Sequence, residues 1–259
     1  MSLKIHPQFI LASALVLAVQ TCWADEAGAL SIGTSVNYSS GKYGTPTSTD
    51  ITSAPLNVAY DKGPWTFKLS VPFVRITGPS DVVVGLGRKK STATPVVRTA
   101  SGLGDIVTAA TYNFYSNAES QVGADVTGKI KFGTGDSAKG LGTGENDYSV
   151  MLDAYKKLNQ VTFFGGVGYT VPGSTTAIPL SNVFNVTAGT TFKVNDKSSL
   201  GFAYDYRQQS SATSAAQSEL TAFYAHKYNK SWKTQAYFLK GFSDACPDWG
   251  AGLSVGYSF

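Results

Sequence analysis

The chain has 259 residues and a formal net charge of +4, and charged residues make up only 15% of it. This mild positive charge comes from scattered basic residues, so it does not indicate a nucleic-acid partner. The length allows one domain or a small pair of domains.

The first 24 residues have the pattern of a secretory signal peptide. Lys4 supplies a positive charge, residues 9–19 form an almost continuous apolar run, and Ala24 offers a small residue for cleavage. The apolar run is too short to cross a bilayer, which takes about 20 residues. We therefore expect a signal peptide over residues 1–24 and one mature domain over residues 25–259.

The two cysteines of the chain fall on either side of the predicted cleavage site. Acylation of Cys22, as in a lipoprotein, is the alternative to cleavage, but the preceding residues 19–21 lack the small residue usual before such a cysteine. Cys246 is then the only cysteine of the mature chain. The mature chain therefore cannot form an intramolecular disulfide.

Apolar residues alternate with small or polar residues from residue 29 to the end, and no segment has a helical period. Successive side chains of a strand point to opposite faces, so each such segment predicts a strand with one apolar face. Turn residues divide the pattern into twelve segments. The predicted strands are residues 29–40, 52–60, 65–77, 103–115, 121–132, 147–158, 161–171, 182–194, 198–208, 217–228, 232–242 and 249–259.

The connections between these segments alternate between short and long. Short turns begin near Asp61, Asn117, Asn159, Asn195 and Asn229, and the long loops fall at the opposite ends of the strands. An even number of strands, short periplasmic turns and long outer loops are features of membrane β-barrels, whose closure leaves no unpaired edge in lipid. The sequence therefore predicts an all-β fold, a twelve-stranded antiparallel transmembrane barrel with both mature termini in the periplasm.

Aromatic residues indicate where the membrane interface lies. We expect one interfacial girdle at the short-turn ends of the strands. Its predicted members are Tyr38, Tyr60, Trp65, Phe67, Tyr112, Phe114, Tyr228 and Trp232. A soluble β-sandwich is the alternative, but it would bury its aromatics at strand centres and expose a more strongly charged face.

The last predicted strand ends on an aromatic residue. Tyr257 and Phe259 complete its apolar row, opposite glycines and serines. A strand that ends in this way resembles the closing strand of bacterial outer-membrane barrels, in which the terminal aromatic is part of the assembly signal. The resemblance implies that Phe259 and Tyr257 are read by the barrel-assembly machinery, and that outer-membrane lipids surround the barrel.

Four glycine-rich stretches extend this resemblance. They are residues 101–105, 132–136, 140–147 and 242–250. Together with the terminal aromatic, they resemble the outer-membrane proteins of the meta-pathway of phenol degradation family. The resemblance implies a barrel of about twelve strands. It also implies a passive outer-membrane channel for small, often aromatic, compounds.

The inward face of such a barrel is where a function would reside. Small residues there, such as Gly166, Gly201 and Gly252, are expected to leave room for a solute. The polar residues expected to line the lumen and select solutes are Lys68, Asp125, Lys129, Lys131, Asp153, Lys157, Asp205, Arg207, Glu219, Lys233 and Tyr237. A few basic groups in a low-dielectric lumen can guide a carboxylate or a phenolate.

The positions of the loops predict which charges face each other. The expected pairs are Lys129 with Asp153, Asp125 with Lys157, and Arg207 with Glu219, with Asp205 one pleat away. Opposed charges of this kind either filter solutes or fill a narrow barrel as structural pairs. The sequence leaves both interpretations open.

The predicted function is passive uptake of small solutes, for which aromatic or weakly anionic compounds are the candidates. The alternative is a structural or surface-interaction barrel with a closed lumen, in which the long basic loop 78–102 binds a partner. An enzyme is not predicted, because a hydrolase needs a base beside its nucleophile. The single histidine of the mature chain, His226, is expected on the outward face near a short turn.

No metal or cofactor is predicted either. Residues 85–88 are glycine-rich but lack the Lys-Ser/Thr pair of a phosphate-binding loop. Asp136, Glu145 and Asp147 do not have the spacing of a calcium loop. Turn formation explains both stretches.

Overall fold

A computed structural model describes residues 28–88, 94–176, 178–212 and 214–259. The predicted signal peptide and Lys89 and Lys90 of the predicted basic loop lie outside the described residues. In the described ranges, no helix is both long enough and apolar enough to cross a membrane.

The described residues form fifteen strands and no helix. The strands are β1 (Ala29–Gly41), β2 (Thr49–Lys62), β3 (Trp65–Pro79), β4 (Val82–Val83), β5 (Gly87–Arg88), β6 (Val97–Leu103), β7 (Ile106–Asn117), β8 (Val122–Phe132), β9 (Asp147–Leu158), β10 (Val161–Val171), β11 (Val183–Lys193), β12 (Ser198–Arg207), β13 (Gln217–Lys227), β14 (Trp232–Gly241) and β15 (Trp249–Ser258).

Twelve strand positions close into one antiparallel barrel. β1 pairs with β2 on one side and with β15 on the other, which joins the first strand to the last. β6 and β7 together occupy one position, because β3 pairs with β7 along its first half and with β6 along its second half. β4 and β5 form a separate two-stranded hairpin. The prediction of a twelve-stranded antiparallel barrel is confirmed.

The connections also alternate as predicted. One end of the barrel, the short-turn end, carries connections 63–64, 118–121, 159–160, 194–197 and 228–231, and the other, the long-loop end, carries the longer loops. Asparagine makes several of the short turns. Asn229 accepts hydrogen bonds from the N–H groups of Ser231 and Trp232, and Asn159 has a left-handed φ of 54°. Asparagine tolerates that conformation and bonds its own backbone, so it favours tight turns.

The outward face is apolar and exposed, and the inward face is buried. Val36, Phe184 and Leu253 expose 63%, 61% and 62% of their surface, whereas their inward neighbours along each strand are buried or half-buried. A soluble protein rarely exposes a continuous apolar surface. An outward apolar band is the surface that a membrane barrel presents to lipid.

Aromatic side chains form a girdle at each end of the barrel. At the short-turn end the rings of Trp65 and Tyr112 lie 4.7 Å apart, and at the long-loop end the ring of Tyr38 lies 5.3 Å from that of Trp249. The prediction that Tyr38 belongs to the short-turn girdle is wrong. β1 starts at the short-turn end, so a residue near its far end reaches the opposite interface.

The fourth barrel position differs from the prediction. The predicted strand 103–115 is interrupted at Gly104 and Asp105. β7 follows the interruption, and β6 precedes it and covers residues that were predicted to be part of the loop 78–102. Pro72 lies where β3 changes partner from β7 to β6, and its carbonyl accepts a hydrogen bond from the Gly104 N–H. Because proline has no N–H to donate, it fits a position where the ladder is broken.

Residues 81–88, here named the inserted hairpin, fold into the barrel mouth. Val82 and Val83 expose 1% of their surface and Leu86 exposes 4%. Val82 packs in one apolar cluster with Ile51 of β2 and Leu141 of the loop after β8. Residues 81–88 of the predicted basic loop 78–102 therefore do not lie free at the surface, because their apolar side chains pack into the barrel mouth.

Three of the four glycine-rich stretches, residues 101–105, 132–136 and 140–147, pack around the carboxylate of Asp105. It accepts hydrogen bonds from Lys131 Nζ at 2.7 Å and from the Gly135 N–H at 2.9 Å. A Cβ atom on Gly142 would overlap the same carboxylate. Thr134 bridges the strand break between β6 and β7. Its Oγ1 accepts a hydrogen bond from the Ile106 N–H at 2.9 Å and donates one to the carbonyl oxygen of Gly104 at 2.9 Å. These stretches thus hold the loop 133–146 against the interrupted strand.

Candidate functional site

All eleven residues predicted to line the lumen lie at inward positions of their strands. They are Lys68 of β3, Asp125, Lys129 and Lys131 of β8, Asp153 and Lys157 of β9, Asp205 and Arg207 of β12, Glu219 of β13, and Lys233 and Tyr237 of β14. Their inward orientation follows from the strand alternation, which the sequence shows directly. Their role in solute selection stays a prediction.

The pairing between β8 and β9 differs from the prediction. Asp125 lies opposite Asp153, and Lys129 lies opposite Ser149. The predicted pairs of Lys129 with Asp153 and Asp125 with Lys157 are wrong by four residues. A register shift by an even number of residues keeps every side chain on its face, so the hydrophobic pattern cannot detect it.

The pairing between β12 and β13 is shifted by two residues from the predicted pairing. Asp205 lies opposite Glu219, and Arg207 lies opposite Gln217. The predicted pair of Arg207 with Glu219 is therefore wrong, and carboxylates face each other here as well. Asp205 has another partner, because it accepts a hydrogen bond from Thr187 Oγ1 at 2.6 Å.

Lys68 lies in the same half of the lumen as the first carboxylate pair, in which Asp125 accepts a hydrogen bond from Asn113 Nδ2 at 2.6 Å. Lys68 points into the short-turn half of the lumen, where the charges of Asp61, Asp125 and Asp153 act on it. Asp125 and Asp153 expose 1% and 4% of their surface. Buried carboxylates are stable only when they are paired or hydrogen-bonded. This group therefore acts as an internal charge cluster of the short-turn half.

Inward glycines do not leave open space, contrary to the prediction. A Cβ atom on Gly201 would overlap the ring of Phe223, and one on Gly252 would overlap the ring of Tyr237. In each case the ring belongs to the residue directly opposite on the neighbouring strand. The same arrangement joins Gly123 to Tyr155 and Gly189 to Phe164. The glycines thus let aromatic rings lie flat against the barrel wall.

A cavity of about 170 Å³ lies in the long-loop half of the lumen. Its charged lining consists of Lys129, Lys131, Arg207, Asp105 and Asp147, so one positive charge is in excess. Apolar residues of β2, β3 and the inserted hairpin line it as well. They include Pro55, Pro72, Val84 and Leu86.

A smaller cavity of about 50 Å³ is lined by Tyr43, Glu219 and Tyr237 among others. Val84 and Gly85 of the inserted hairpin line both cavities. The inserted hairpin therefore separates the two spaces inside the mouth of the barrel. The sequence offered only the Val-Val-Val run at residues 82–84 as a signal for this buried segment.

The three basic residues of the larger cavity differ in their partners. Lys131 Nζ lies 2.7 Å from Asp105 Oδ2 and 3.4 Å from Asp147 Oδ2. Arg207 Nη1 donates to the carbonyl oxygen of Gly85 at 3.4 Å. In the described part of the chain, neither Lys129 nor Arg207 has a carboxylate within ion-pair distance.

Two titratable groups of the loops are buried beside the smaller cavity. Burial raises the pKa of the Tyr43 phenol well above its usual value, and burial raises the pKa of the Cys246 thiol to about 11. Cys246 Sγ also accepts a hydrogen bond from the Ser218 N–H at 3.2 Å. The thiol is therefore protonated at neutral pH and is a poor nucleophile.

His226 lies on the outward face near a short turn. Its Nδ1 lies 2.9 Å from Ser198 Oγ, and Tyr224 donates its hydroxyl proton to the same oxygen at 3.0 Å. The ring of Tyr228 packs edge-on against the imidazole at 4.7 Å. The sequence did not indicate the neighbouring serine. The arrangement belongs to the interfacial girdle rather than to the lumen.

The carboxylates considered as calcium ligands have separate partners. Asp136 pairs with Lys139 at 3.2 Å, whereas Asp147 faces Lys131. Hydrogen bonds from Lys139 and the charge of its ammonium group lower the pKa of Asp136. Within the described ranges, no three His, Cys, Asp or Glu side chains are grouped so as to hold a metal ion.

Comparison with known proteins assigns the family. Residues 27–259 match the family described as "Putative MetA-pathway of phenol degradation". The chain belongs to this family. The resemblance that the glycine-rich stretches indicated is thereby confirmed, and the match spans the whole barrel. No curated protein sequence matches the chain.

Solved structures with the same fold are outer-membrane channels. An outer membrane channel from Pseudomonas putida F1 superposes with a TM-score of 0.71 at 12% identity, covering 90% of this chain and 96% of that one. The NanC porin gives a TM-score of 0.57 at 9% identity, and the KdgM porin gives 0.52 at 10% identity. Each of the two comparisons covers 88% of this chain and 98% of the porin. At these identities the likeness concerns the fold alone.

Proposed function

We propose that this protein is a bacterial outer-membrane channel for passive uptake of small solutes, with a preference for aromatic or weakly anionic compounds. The observation that carries the proposal is the cavity in the long-loop half of the lumen, with its excess positive charge. The porin fold of the structural relatives supports a channel, and the description of the family, which names phenol degradation, supports small aromatic solutes.

Electrostatics supports the preference for anions. Lys129, Lys131 and Arg207 line the same cavity, where the charges of Arg207 and Lys131 act on Lys129 together with the opposite charge of Asp147. A low-dielectric wall focuses the field of such groups and raises the local concentration of anions. Neither Asp205 nor Glu219 lines this cavity, and Glu219 lines the smaller cavity instead.

The test is the current through the purified protein in a planar lipid bilayer. We expect ion conduction with more anion than cation permeability, and a loss of that preference in Lys129→Glu. Lys240→Glu, on the exposed outward face of β14, is the matched control and should conduct like the native protein. Unchanged selectivity in Lys129→Glu would show that this lysine is structural and would contradict the preference for anions.

The second candidate function is a structural or surface-interaction barrel with a closed lumen. The inserted hairpin favours it, because this segment fills part of the barrel mouth. Two arginines of the basic loop 78–102 already have partners within the protein, which makes them less available for surface binding. Arg88 pairs with Asp81 at 2.7 Å, and Arg98 donates to the carbonyl oxygens of Ser80 and Ala138. The absence of both ion current and solute flux would favour this second function.

Export and assembly follow from the same proposal. Removal of the signal peptide after Ala24 would deliver the chain to the periplasm, and the assembly machinery would then read Tyr257 and Phe259. The Phe259 N–H donates to the carbonyl oxygen of Leu30, and the rings of Tyr257 and Phe259 lie 4.9 Å apart. Deletion of Phe259 should lower the amount of protein in the outer-membrane fraction of the native host. Unchanged amounts would contradict a role in assembly.

A further inference from the structure

We infer that the larger lumen cavity is a binding site for a monocarboxylate that carries one ring-sized apolar group. The inference rests on the proposed channel function and gives it a defined site and a class of substrate. A channel with such a site is saturable, because each bound solute occupies the lumen until it leaves.

The size of the cavity limits the apolar group to one ring. An apolar protein cavity of about 150 Å³ is known to hold one benzene molecule. The lumen cavity has a volume of about 170 Å³. A single six-membered ring with a carboxylate therefore fits within this volume, whereas a second fused ring would extend into the open mouth of the barrel.

The charges of the lining favour a single carboxylate. Lys131 already binds two carboxylates, Asp105 and Asp147, so the five charged residues of the lining have a net charge of +1. Lys129 and Arg207 have no such carboxylate among the described residues, and both line the cavity. A guanidinium can bind both oxygens of a carboxylate, and charge-assisted bonds of this kind are stronger than neutral ones.

The wall of the cavity opposite Arg207 carries two prolines, Pro55 and Pro72, together with Ser53 and Ser70. Arg207 is on β12, which lies six strand positions from β3 around the twelve-stranded barrel, so it faces β3 across the lumen. Pro72 of β3 and Pro55 of β2 pair with each other and both line the cavity. A solute whose carboxylate meets Arg207 therefore has these prolines at its other end, and Lys129, on β8, lies two strand positions from β3.

The inserted hairpin completes the apolar side. Val84 and Leu86 line the cavity, and Leu86 exposes only 4% of its surface. The hydroxyls of Ser149 and Thr170 in the lining bond each other at 2.9 Å. The other uncharged polar residues of the lining are Ser53, Ser70, Thr143 and Asn185.

The test is equilibrium binding to the folded barrel in detergent, measured by isothermal titration calorimetry. Benzoate is the probe. Acetate lacks its ring, benzyl alcohol lacks its charge, and 2-naphthoate is larger by one fused ring. We expect saturable binding of one benzoate and affinities at least about tenfold weaker for the three comparison compounds, which corresponds to roughly 1.4 kcal/mol. Equal affinities for benzoate and acetate would overturn the inference.

Variants test the two ends of the site separately. Arg207→Gln and Lys129→Gln should each weaken benzoate binding by about tenfold or more, since each removes a charge-assisted bond. Lys240→Gln, which removes an outward charge, should bind benzoate like the native protein. Leu86→Ala should enlarge the cavity and allow 2-naphthoate to bind. Native-like benzoate binding in Arg207→Gln and Lys129→Gln would contradict the inference.

The result also separates this inference from the channel function. A barrel that conducts ions but does not prefer benzoate keeps the channel function and refutes the binding site. A barrel that binds benzoate but carries no current keeps the site and refutes the channel.

Discussion

The two halves of the lumen are built in different ways. In the short-turn half, side chains of the barrel wall fill the space, as where the ring of Phe223 lies over Gly201 and Lys68 lies among carboxylates. In the long-loop half, segments between the strands fold inward, and the inserted hairpin supplies the buried apolar residues. The difference teaches that the strand pattern specifies one half of this lumen, whereas the loops specify the other.

Removal of the Asp105 carboxylate should have the largest effect on the long-loop half. In Asp105→Ala, Lys131 loses its nearest counter-charge and the Gly135 N–H loses its acceptor. Removal of one partner of a fully buried ion pair costs about 3–5 kcal/mol, and this partly buried pair should cost less than that. Urea denaturation of the refolded barrel in detergent measures the loss. Asp136→Asn, which breaks an exposed pair, is the control and should unfold like the native protein.

A side chain at Gly201 should have the next largest effect, in the short-turn half. The added methyl group of Gly201→Ala meets the ring of Phe223 directly, and overpacking of this kind costs about 1–3 kcal/mol. The double variant with Phe223→Ala should recover part of the loss, because the two residues are in contact. Gly128→Ala has open space around its Cβ position and is the matched control. Equal urea midpoints for Gly201→Ala and Gly128→Ala would refute the contact.

Deletion of the inserted hairpin should change conduction more than stability. Replacement of residues 81–88 by a short glycine-serine linker removes the segment between the two cavities. We expect the single-channel conductance to roughly double, because the interior of a small barrel is limited by the groups that fill it. Heat-modifiable gel migration would show that the barrel still closes. Unchanged conductance in a folded variant would mean that the hairpin lies outside the solute path.

The smallest expected change concerns the reactivity of Cys246. Burial raises the pKa of its thiol to about 11, and the thiolate is the reactive form, so alkylation should be slow at pH 7 and accelerate as the pH rises towards that value. An exposed cysteine, introduced as Val96→Cys in a Cys246→Ala background, is the control. Equal alkylation rates at pH 7 would indicate that the loop 242–248 is open in solution.

The same difference explains what the sequence could predict. Alternation within strands identified all twelve barrel positions and the inward direction of residues such as Lys129 and Arg207, because a period of two is visible in any single strand. It could not fix which residues face each other. Asp125 pairs with Asp153 only because the loop between their strands closes at Lys131 and Asp147. Shifts by two or four residues preserve the pattern.

The burial of the loop residues could not be predicted from the sequence pattern for another reason. Val82 and Val83 are buried by contacts with residues distant in sequence, such as Ile51 and Leu141, and no local period reports such contacts. The cavity was not predicted either, since the inserted hairpin forms part of its wall. Its basic residues were found from alternation, but their partners depend on tertiary structure.

The seam between β1 and β15 has a consequence for the order of folding. Ser31 and Ser258 share a hydrogen bond across 227 positions of sequence, whereas the other barrel pairings join strands that are consecutive along the chain or, for β3 with β6 and β7, separated by little more than the inserted hairpin. Non-local contacts form slowly because the intervening chain must be ordered first. The sheet can therefore grow hairpin by hairpin, and closure of the seam is the final, slowest step. Until that step, both edge strands can pair with another molecule, so the time before closure sets the risk of aggregation.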